Sequence, residues 1–286
     1  MKVSRILILG HTGFVGANLR RVLATRGLEV SGLSLADIDL TKAKDCQRLA
    51  EYFVPGTAVV MCSAIKRQAG DTLENYQKNV AMAANLSPLL KDGAVSRFIY
   101  FSSTAVYGED THNTAILEAT AVNPTSYYGM AKFACERILI KAVEGKKTSP
   151  LVVLRPATIY GADEPGRPYG PMGFLRAASK GETVTVWGDG LEKREFIFID
   201  DVCAAIAGLL ESDFSGVLNL VSGHSVTFQD VLTEVAKLAP NPTTESRPRT
   251  KAKADHAFDN ALLRRVLPKL AFTPLSAGLQ GALVAK

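Results

Sequence analysis

Short apolar runs alternate with amphipathic stretches along the first half of the chain. Residues 6–9, 29–33, 58–62, 97–102 and 151–154 read as strands, and the stretches between them carry helical spacing up to about Lys147. That alternation predicts an α/β architecture, a doubly wound parallel sheet with crossover helices. Past Gly161 the pattern changes. Residues 163–171 (Asp-Glu-Pro-Gly-Arg-Pro-Tyr-Gly-Pro) are too rich in proline and glycine for regular structure and read as a loop over a ligand cleft. Residues 195–210 read as one more strand and helix, so the chain is expected to return to the first lobe over 195–222. The predicted division is a first domain at 1–160 and a smaller C-terminal α/β domain at 161–286.

The turn after the first strand is Gly10-His11-Thr12-Gly13-Phe14-Val15-Gly16, and an apolar-periodic segment follows over 17–25. Glycines so spaced between strand and helix let the backbone close on a pyrophosphate, at which the helix N–H groups point. The order predicts a dinucleotide-binding Rossmann lobe at 1–160, leaving 161–286 for the substrate. Tyr128 and Lys132 stand four residues apart in Ser-Tyr-Tyr-Gly-Met-Ala-Lys. On a helix they share a face. A cation there favours the phenolate of a group that ordinarily titrates at about pH 10, which makes Tyr128 usable as an acid or base. Ser103, in Phe-Ser-Ser-Thr-Ala-Val-Tyr-Gly, lies where the strand 97–102 ends, the side on which open α/β sheets bind ligands. The Tyr/Lys pair alone decides nothing, because that spacing also arises by chance.

Composition narrows the classes. With 286 residues, 47% of them hydrophobic, the chain has enough apolar material for a large core. The net charge of +5 is not gathered into a basic stripe. Its clearest cluster, residues 247–253, lies in a stretch with Pro240, Pro242 and Pro248 and reads as a solvated loop, not as a nucleic-acid or membrane patch. A mildly basic surface suits an acidic ligand. Cys46, Cys62, Cys135 and Cys203 form no CxxC pair, and His11, His112, His224 and His256 lack metal-ligand spacing, so neither metal nor disulfide is predicted. Residues 1–9 lack a signal-peptide pattern and no apolar run approaches the ~18 residues of a membrane helix. A soluble, cytoplasmic protein is expected.

The chain resembles an extended short-chain dehydrogenase/reductase of the NAD-dependent epimerase/dehydratase family, which acts on nucleotide-linked sugars. Beyond the glycine turn and the Tyr/Lys pair, the resemblance rests on Leu154-Arg-Pro-Ala-Thr-Ile-Tyr-Gly161, Val186-Trp-Gly-Asp-Gly190 and Arg194-Glu-Phe-Ile-Phe-Ile-Asp-Asp201. It implies that Ser103, Tyr128 and Lys132 form a catalytic trio and that Arg194 contacts a substrate diphosphate. Cofactor contacts would come from Gly10, Thr12, Gly13, Phe14, Val15 and Gly16. Others would be Ser34, Asp39 and Leu40, then Ser63 and Ala64, then Tyr128, Lys132, Pro156 and Thr158. Ser103, Thr104, Tyr128, Thr158 and Arg194 would meet the substrate, with no metal.

The acidic residue that ordinarily holds the adenosine ribose is replaced by Ser34. No carboxylate there repels a 2′-phosphate, yet no arginine stands at Leu33, Leu35 or Ala36 to bind one. NAD is the expected cofactor and NADP the alternative. Asp39 resembles the family's acidic residue near the adenine, a helix N-cap being its other reading. Family dehydratases carry Asp-Glu where this chain has Thr104 and Ala105. Enzymes epimerising at C3 and C5 use a cysteine near Ala105 and a histidine beyond Gly161, where the first histidine is His224. Thr158 stands where the family often has asparagine. The expectation is a nucleotide-sugar 4-epimerase working through a 4-keto intermediate. The alternatives are an NAD(P)H-dependent 4-keto nucleotide-sugar reductase and, more distantly, a non-catalytic dinucleotide-binding redox sensor. Residues 80–90 and 131–143 suggest the paired helices of a homodimer, although packing on the sheet explains the same apolar content.

Overall fold

The structure is a computed structural model that describes residues 3–146, 149–165, 170–239 and 241–284. The chain runs β1 (Arg5–Leu9), α1 (Phe14–Ala24), β2 (Glu29–Leu33), α2 (Ala43–Gln47), β3 (Thr57–Met61), α3 (Leu73–Asp92) and β4 (Arg97–Phe101). Then follow β5 (Asn113–Ile116), α4 (Tyr127–Val143), β6 (Leu151–Pro156), β7 (Thr158–Tyr160), α5 (Pro171–Ser179), β8 (Val184–Trp187), β9 (Lys193–Arg194) and β10 (Phe196–Phe198). The last part is α6 (Ile199–Glu211), β11 (Gly216–Leu220), β12 (Val226–Thr227), α7 (Phe228–Leu238), β13 (Thr244–Arg247), β14 (His256–Phe258), α8 (Ala261–Val266) and α9 (Leu275–Val284).

These elements form two compact units, one of Met1–Glu109, Ala121–Pro156 and Cys203–Asn219, the other of Asp110–Thr120, Ala157–Val202 and Leu220–Lys286. The first holds a Rossmann sheet in the order β11-β6-β4-β3-β1-β2. Strand β1 pairs in parallel with both β2 and β3, Leu7 lying opposite Ser31 and Val59. Strands β3, β4 and β6 are buried along their whole length, so unbroken Val, Ile, Leu and Phe runs replace alternation. The order reverses between β1 and β3, the crevice where such sheets take ligands. Ala83, Leu86 and Leu90 of α3 and Cys135 and Leu139 of α4 join one core with Val59, Phe98 and Val153 of the sheet.

Helix α4 starts where its sequence says it should. Ser126 caps it, its Oγ accepting the Gly129 N–H at 3.0 Å. A Cβ on Gly129 would sit 2.8 Å from the Ala105 carbonyl, so glycine lets the first turn of α4 close on residues 104–107.

In the second unit β7 pairs with β10 and β8 with β13, both in parallel, around a core that includes Tyr160, Phe174, Val184, Val231 and Leu279. Two expectations change. The return to the first unit begins at Cys203, not at 195, because β10 is recruited as the partner of β7. Arg247, the first residue of the cluster read as a solvated loop over 247–253, ends strand β13, because pairing with β8 satisfies the backbone of 244–247 while the side chains stay exposed. Of the 163–171 loop, residues 166–169 lie outside the described residues, and Pro171 opens α5. Among the described residues no helix is long and apolar enough to cross a membrane.

Candidate active site

Gly10 leaves β1 at φ +87°, its N–H donating to the Leu33 carbonyl at 2.7 Å, and the Gly13 N–H donates to the Gly10 carbonyl at 3.1 Å. A Cβ on Gly16 would lie 2.3 Å from that same carbonyl oxygen, so glycine is what lets α1 abut the turn. A Cβ on Gly10 would lie 2.9 Å from Ser63 N and Oγ, which brings Ser63 to the turn. Asn79 holds the neighbouring loop, accepting from Ile65 N at 2.8 Å and donating to Ile65 O at 3.0 Å; Ala64 is half-buried beside it. Gly13 caps α1 without a side-chain bond and the first turn has no acid, so the positive helix end is left to an anion. Thr12 and Gly13 are exposed, Val15 is half-buried, and Phe14 and Gly16 are buried. This cradle of backbone donors, open where a Cβ would fill it, fits a dinucleotide pyrophosphate.

At the end of β2 a carboxylate stands beside residue 34. The Ser34 N–H and Oγ both donate to Asp37 Oδ2 at 2.8 Å. Those bonds, with His11 and Arg48 nearby, hold the Asp37 carboxyl below its ordinary range. Sequence reasoning missed Asp37, although Ser-x-x-Asp is a legible capping spacing. Asp39 Oδ1 accepts from Thr41 N at 3.0 Å and Thr41 Oγ1 at 2.7 Å. The N-cap of α2 is Lys42, so the capping role considered for Asp39 is not realised. The Leu40 side chain is buried in the core, and its carbonyl accepts from Asn85 Nδ2 at 3.0 Å.

Ser103 follows β4 and caps the turn 104–107, its Oγ accepting the Ala105 N–H at 3.1 Å; Thr104 is half-buried. Tyr128 is half-buried in the first turn of α4, and its N–H donates to Asp71 Oδ1 at 3.0 Å. Lys132, 4% exposed, donates from Nζ to the Phe101 carbonyl at 2.6 Å. The same ammonium lies 5.1 Å from the Tyr100 ring centre and 5.7 Å from that of Tyr128. Burial lowers its pKa to about 8, with Cys135, Cys62 and Glu136 acting the other way. The ammonium is therefore the dominant form at neutral pH, beside the phenol it is expected to influence.

One helical turn on, a buried network fixes this end of α4. Glu136 takes Arg155 Nε on Oε1 at 2.9 Å and Arg155 Nη2 on Oε2 at 2.6 Å, and also accepts from Ser102 Oγ. Arg155 Nη1 donates to the Tyr107 hydroxyl at 2.8 Å, which donates to Asn219 Oδ1 at 2.8 Å. The sequence motifs include the stretches holding Arg155 and Tyr107 but carry no hint that the two meet.

In the second unit Arg194 donates through Nη1 to the Lys193 carbonyl at 2.9 Å and to the Ala254 carbonyl, and through Nη2 to Glu192. Glu192 also pairs with Arg249, which reaches Asp189 at 2.7 Å. Arg249 belongs to the cluster read as solvated, yet it is largely covered. Gly188, at φ +64°, makes room for it, since a Cβ there would lie 2.3 Å from Arg249 Nε. Thr158, on β7, donates its N–H to the Glu195 carbonyl at 3.2 Å. Glu195 is 2% exposed and accepts the N–H groups of Ser222 and, at 3.2 Å, Gly223; burial pushes its pKa up to about 7. Pro156 is buried at the end of β6, in the first unit.

The chain is 26% identical over 255 residues to a UDP-glucose 4-epimerase of Vibrio cholerae, covering 83% of this chain and 76% of the relative. It is 25% identical over 270 residues to a dTDP-4-dehydro-6-deoxy-D-allose reductase of Streptomyces bikiniensis, covering 83% and 82%. The crystal structure of the UDP-glucose 4-epimerase of Thermus thermophilus in complex with NAD superimposes with a TM-score of 0.82 at 24% identity, over 99% of this chain and 100% of that one, which establishes the shared fold. The model of the NAD dependent epimerase/dehydratase family matches residues 6–220. The chain belongs to that family and is an extended short-chain dehydrogenase/reductase.

Proposed function

We propose that this chain is a nucleotide-sugar 4-epimerase using NAD. The observation that carries the reading is the buried Lys132 ammonium, tied to the Phe101 carbonyl at 2.6 Å with its charge 5.7 Å from the Tyr128 ring centre. In this reading Tyr128 takes the C4 hydroxyl proton, assisted by the Lys132 charge, and Ser103 Oγ holds the C4 oxygen. The cofactor, when bound, supplies a hydride acceptor and donor. The sugar is oxidised to the 4-keto form, turns, and is reduced on its other face as Tyr128 returns the proton. Gly10, Gly13 and Gly16 hold the pyrophosphate, and Arg194 contacts the diphosphate of the substrate. Asp37 supports NAD over NADP, because its carboxylate at the end of β2 opposes a 2′-phosphate. Leu73, Tyr127 and Met130, exposed at the starts of α3 and α4, support a homodimer built on those helices; a monomeric mass in solution at micromolar concentration would refute that part.

The similarity to a dehydro-sugar reductase keeps a second reaction in view, the reduction of a 4-keto nucleotide sugar with external NAD(P)H. Isotope transfer separates the two. An epimerase interconverts C4 epimers without added cofactor and retains hydrogen at C4, while Tyr128→Phe lowers turnover by about 100-fold or more with the fold intact. Stoichiometric transfer of deuterium from added labelled cofactor into C4 of the product would overturn the epimerase reading in favour of the reductase.

A further inference from the structure

Four charges of the second unit close on one another around Arg194. Glu192 places one carboxylate oxygen on Arg194 Nη2 and the other on Arg249 Nη1, so a single anion bridges two guanidinium groups. A phosphate bridges two arginines with the same donor pattern. Asp189 completes the set on Arg249 at 2.7 Å. Two arginines and two acids leave the cluster formally neutral, an unpromising surface for a diphosphate as it stands.

Each arginine has an anchor independent of Glu192. Arg194 is held by the Lys193 and Ala254 carbonyls, and Arg249 by Asp189 over the space that Gly188 leaves. Removing the Glu192 charge therefore leaves both guanidinium groups in position and releases the donors it occupies. A residue needed only to orient them would not be duplicated in this way.

We propose that Glu192 is a built-in counter-anion, seated between Arg194 and Arg249, which a phosphate-bearing ligand must displace and which therefore sets the affinity of this chain for nucleotide diphosphates. This rests on the reading of Arg194 as a diphosphate contact. Displacement exchanges one anion for another on the same two arginines, so the substrate keeps only the difference between its bonds and those of the carboxylate. Selectivity follows. A ligand with one weakly charged phosphate gains little over Glu192, whereas a diphosphate, with more oxygens and more charge, gains enough to replace it.

The test is calorimetric titration of the 286-residue chain with three probes: UDP, inorganic pyrophosphate and uridine. Glu192→Gln, nearly isosteric, is expected to bind UDP and pyrophosphate about tenfold tighter, the gain of a charge-assisted contact no longer contested, with uridine unchanged. Glu192→Ala should move UDP in the same direction. Arg194→Ala should weaken UDP and leave uridine unaffected. If Glu192→Gln binds UDP equally or more weakly while Arg194→Ala also weakens it, Glu192 orients the arginines and the proposal is wrong. If Arg194→Ala leaves UDP affinity unchanged, the diphosphate reading itself falls, and the proposal with it.

Discussion

The ion pair behind the trio predicts an asymmetry between removing one charge and removing both. Glu136 is 1% exposed and Arg155 4%, and they share two hydrogen bonds at 2.6 and 2.9 Å. Arg155→Met deletes both and strands a carboxylate whose remaining donor is the Ser102 hydroxyl. An unpaired buried charge of this kind costs about 3–5 kcal/mol, a large part of the ~5–15 kcal/mol that holds a domain together. Glu136→Gln strands the guanidinium and should cost a similar amount. In the double variant Glu136→Gln/Arg155→Met neither charge remains. The introduced amide can still accept from Ser102, Tyr107 still donates to Asn219 at 2.8 Å, and the methionine fills most of the arginine's volume. The double variant should therefore be more stable than Arg155→Met alone by about 2 kcal/mol, despite carrying one more substitution. Urea denaturation at pH 7, followed by circular dichroism and fluorescence with the slopes compared, measures this. Additive losses, with the double variant as unstable as the two singles summed, would mean that the pair carries no compensating interaction and that its buried geometry is not what fixes the site.

Two further outcomes follow from single residues. Gly16→Ala puts a Cβ 2.3 Å from the Gly10 carbonyl, so the turn must open. A stability loss of about 1–3 kcal/mol is expected, along with at least ~10-fold weaker NADH binding from the displaced helix N-terminus, and unchanged binding by fluorescence titration would separate the turn from the cofactor. Glu195 has its pKa raised from 4.5 to about 7, so the stability it contributes is complete below 4.5 and is lost as pH rises through about 7. That interval is worth about 3 kcal/mol, so the stability of Glu195→Gln relative to the parent should improve by roughly that amount between pH 4.5 and 8, and a difference independent of pH would refute the raised value.

Much of the first unit was legible because its information is local. A buried parallel strand announces itself as an unbroken apolar run, and the 29–33 strand was placed to the residue. The glycine turn was legible for a similar reason, since Gly13 and Gly16 answer to steric demands within the turn itself, although Gly10 also faces Ser63. What escaped was non-local. Strand β13 reads as a polar loop because its side chains are exposed and its partner β8 lies 60 residues earlier at the first paired position, Thr244 with Val184. Arg249 was lost inside a run of exposed cations for the same reason, because the residues that cover it, Glu192 and Asp189, come from another part of the chain. Asp37 is the middle case. Its spacing from Ser34 is visible in the sequence, but an acid is looked for at one fixed position after the strand, whereas here a turn brings a carboxylate to Ser34 from three residues away.

The proposed mechanism needs Lys132 charged in a dry interior, and the means of keeping it so emerge only in three dimensions. Burial drives its pKa down to about 8, which works against the charge that the proposed role of Tyr128 requires. Several features resist that trend. The Phe101 carbonyl takes a hydrogen bond from Nζ, the rings of Tyr100 and Tyr128 present π faces at 5.1 and 5.7 Å, and the Glu136 carboxylate acts from one turn away. Arg155 holds Glu136 in place through a buried pair at 2.6 Å. As a contribution to stability the Glu136/Arg155 pair does little that two well-packed apolar residues would not do. Its geometry instead fixes a carboxylate one helical turn from a lysine whose own burial lowers its pKa.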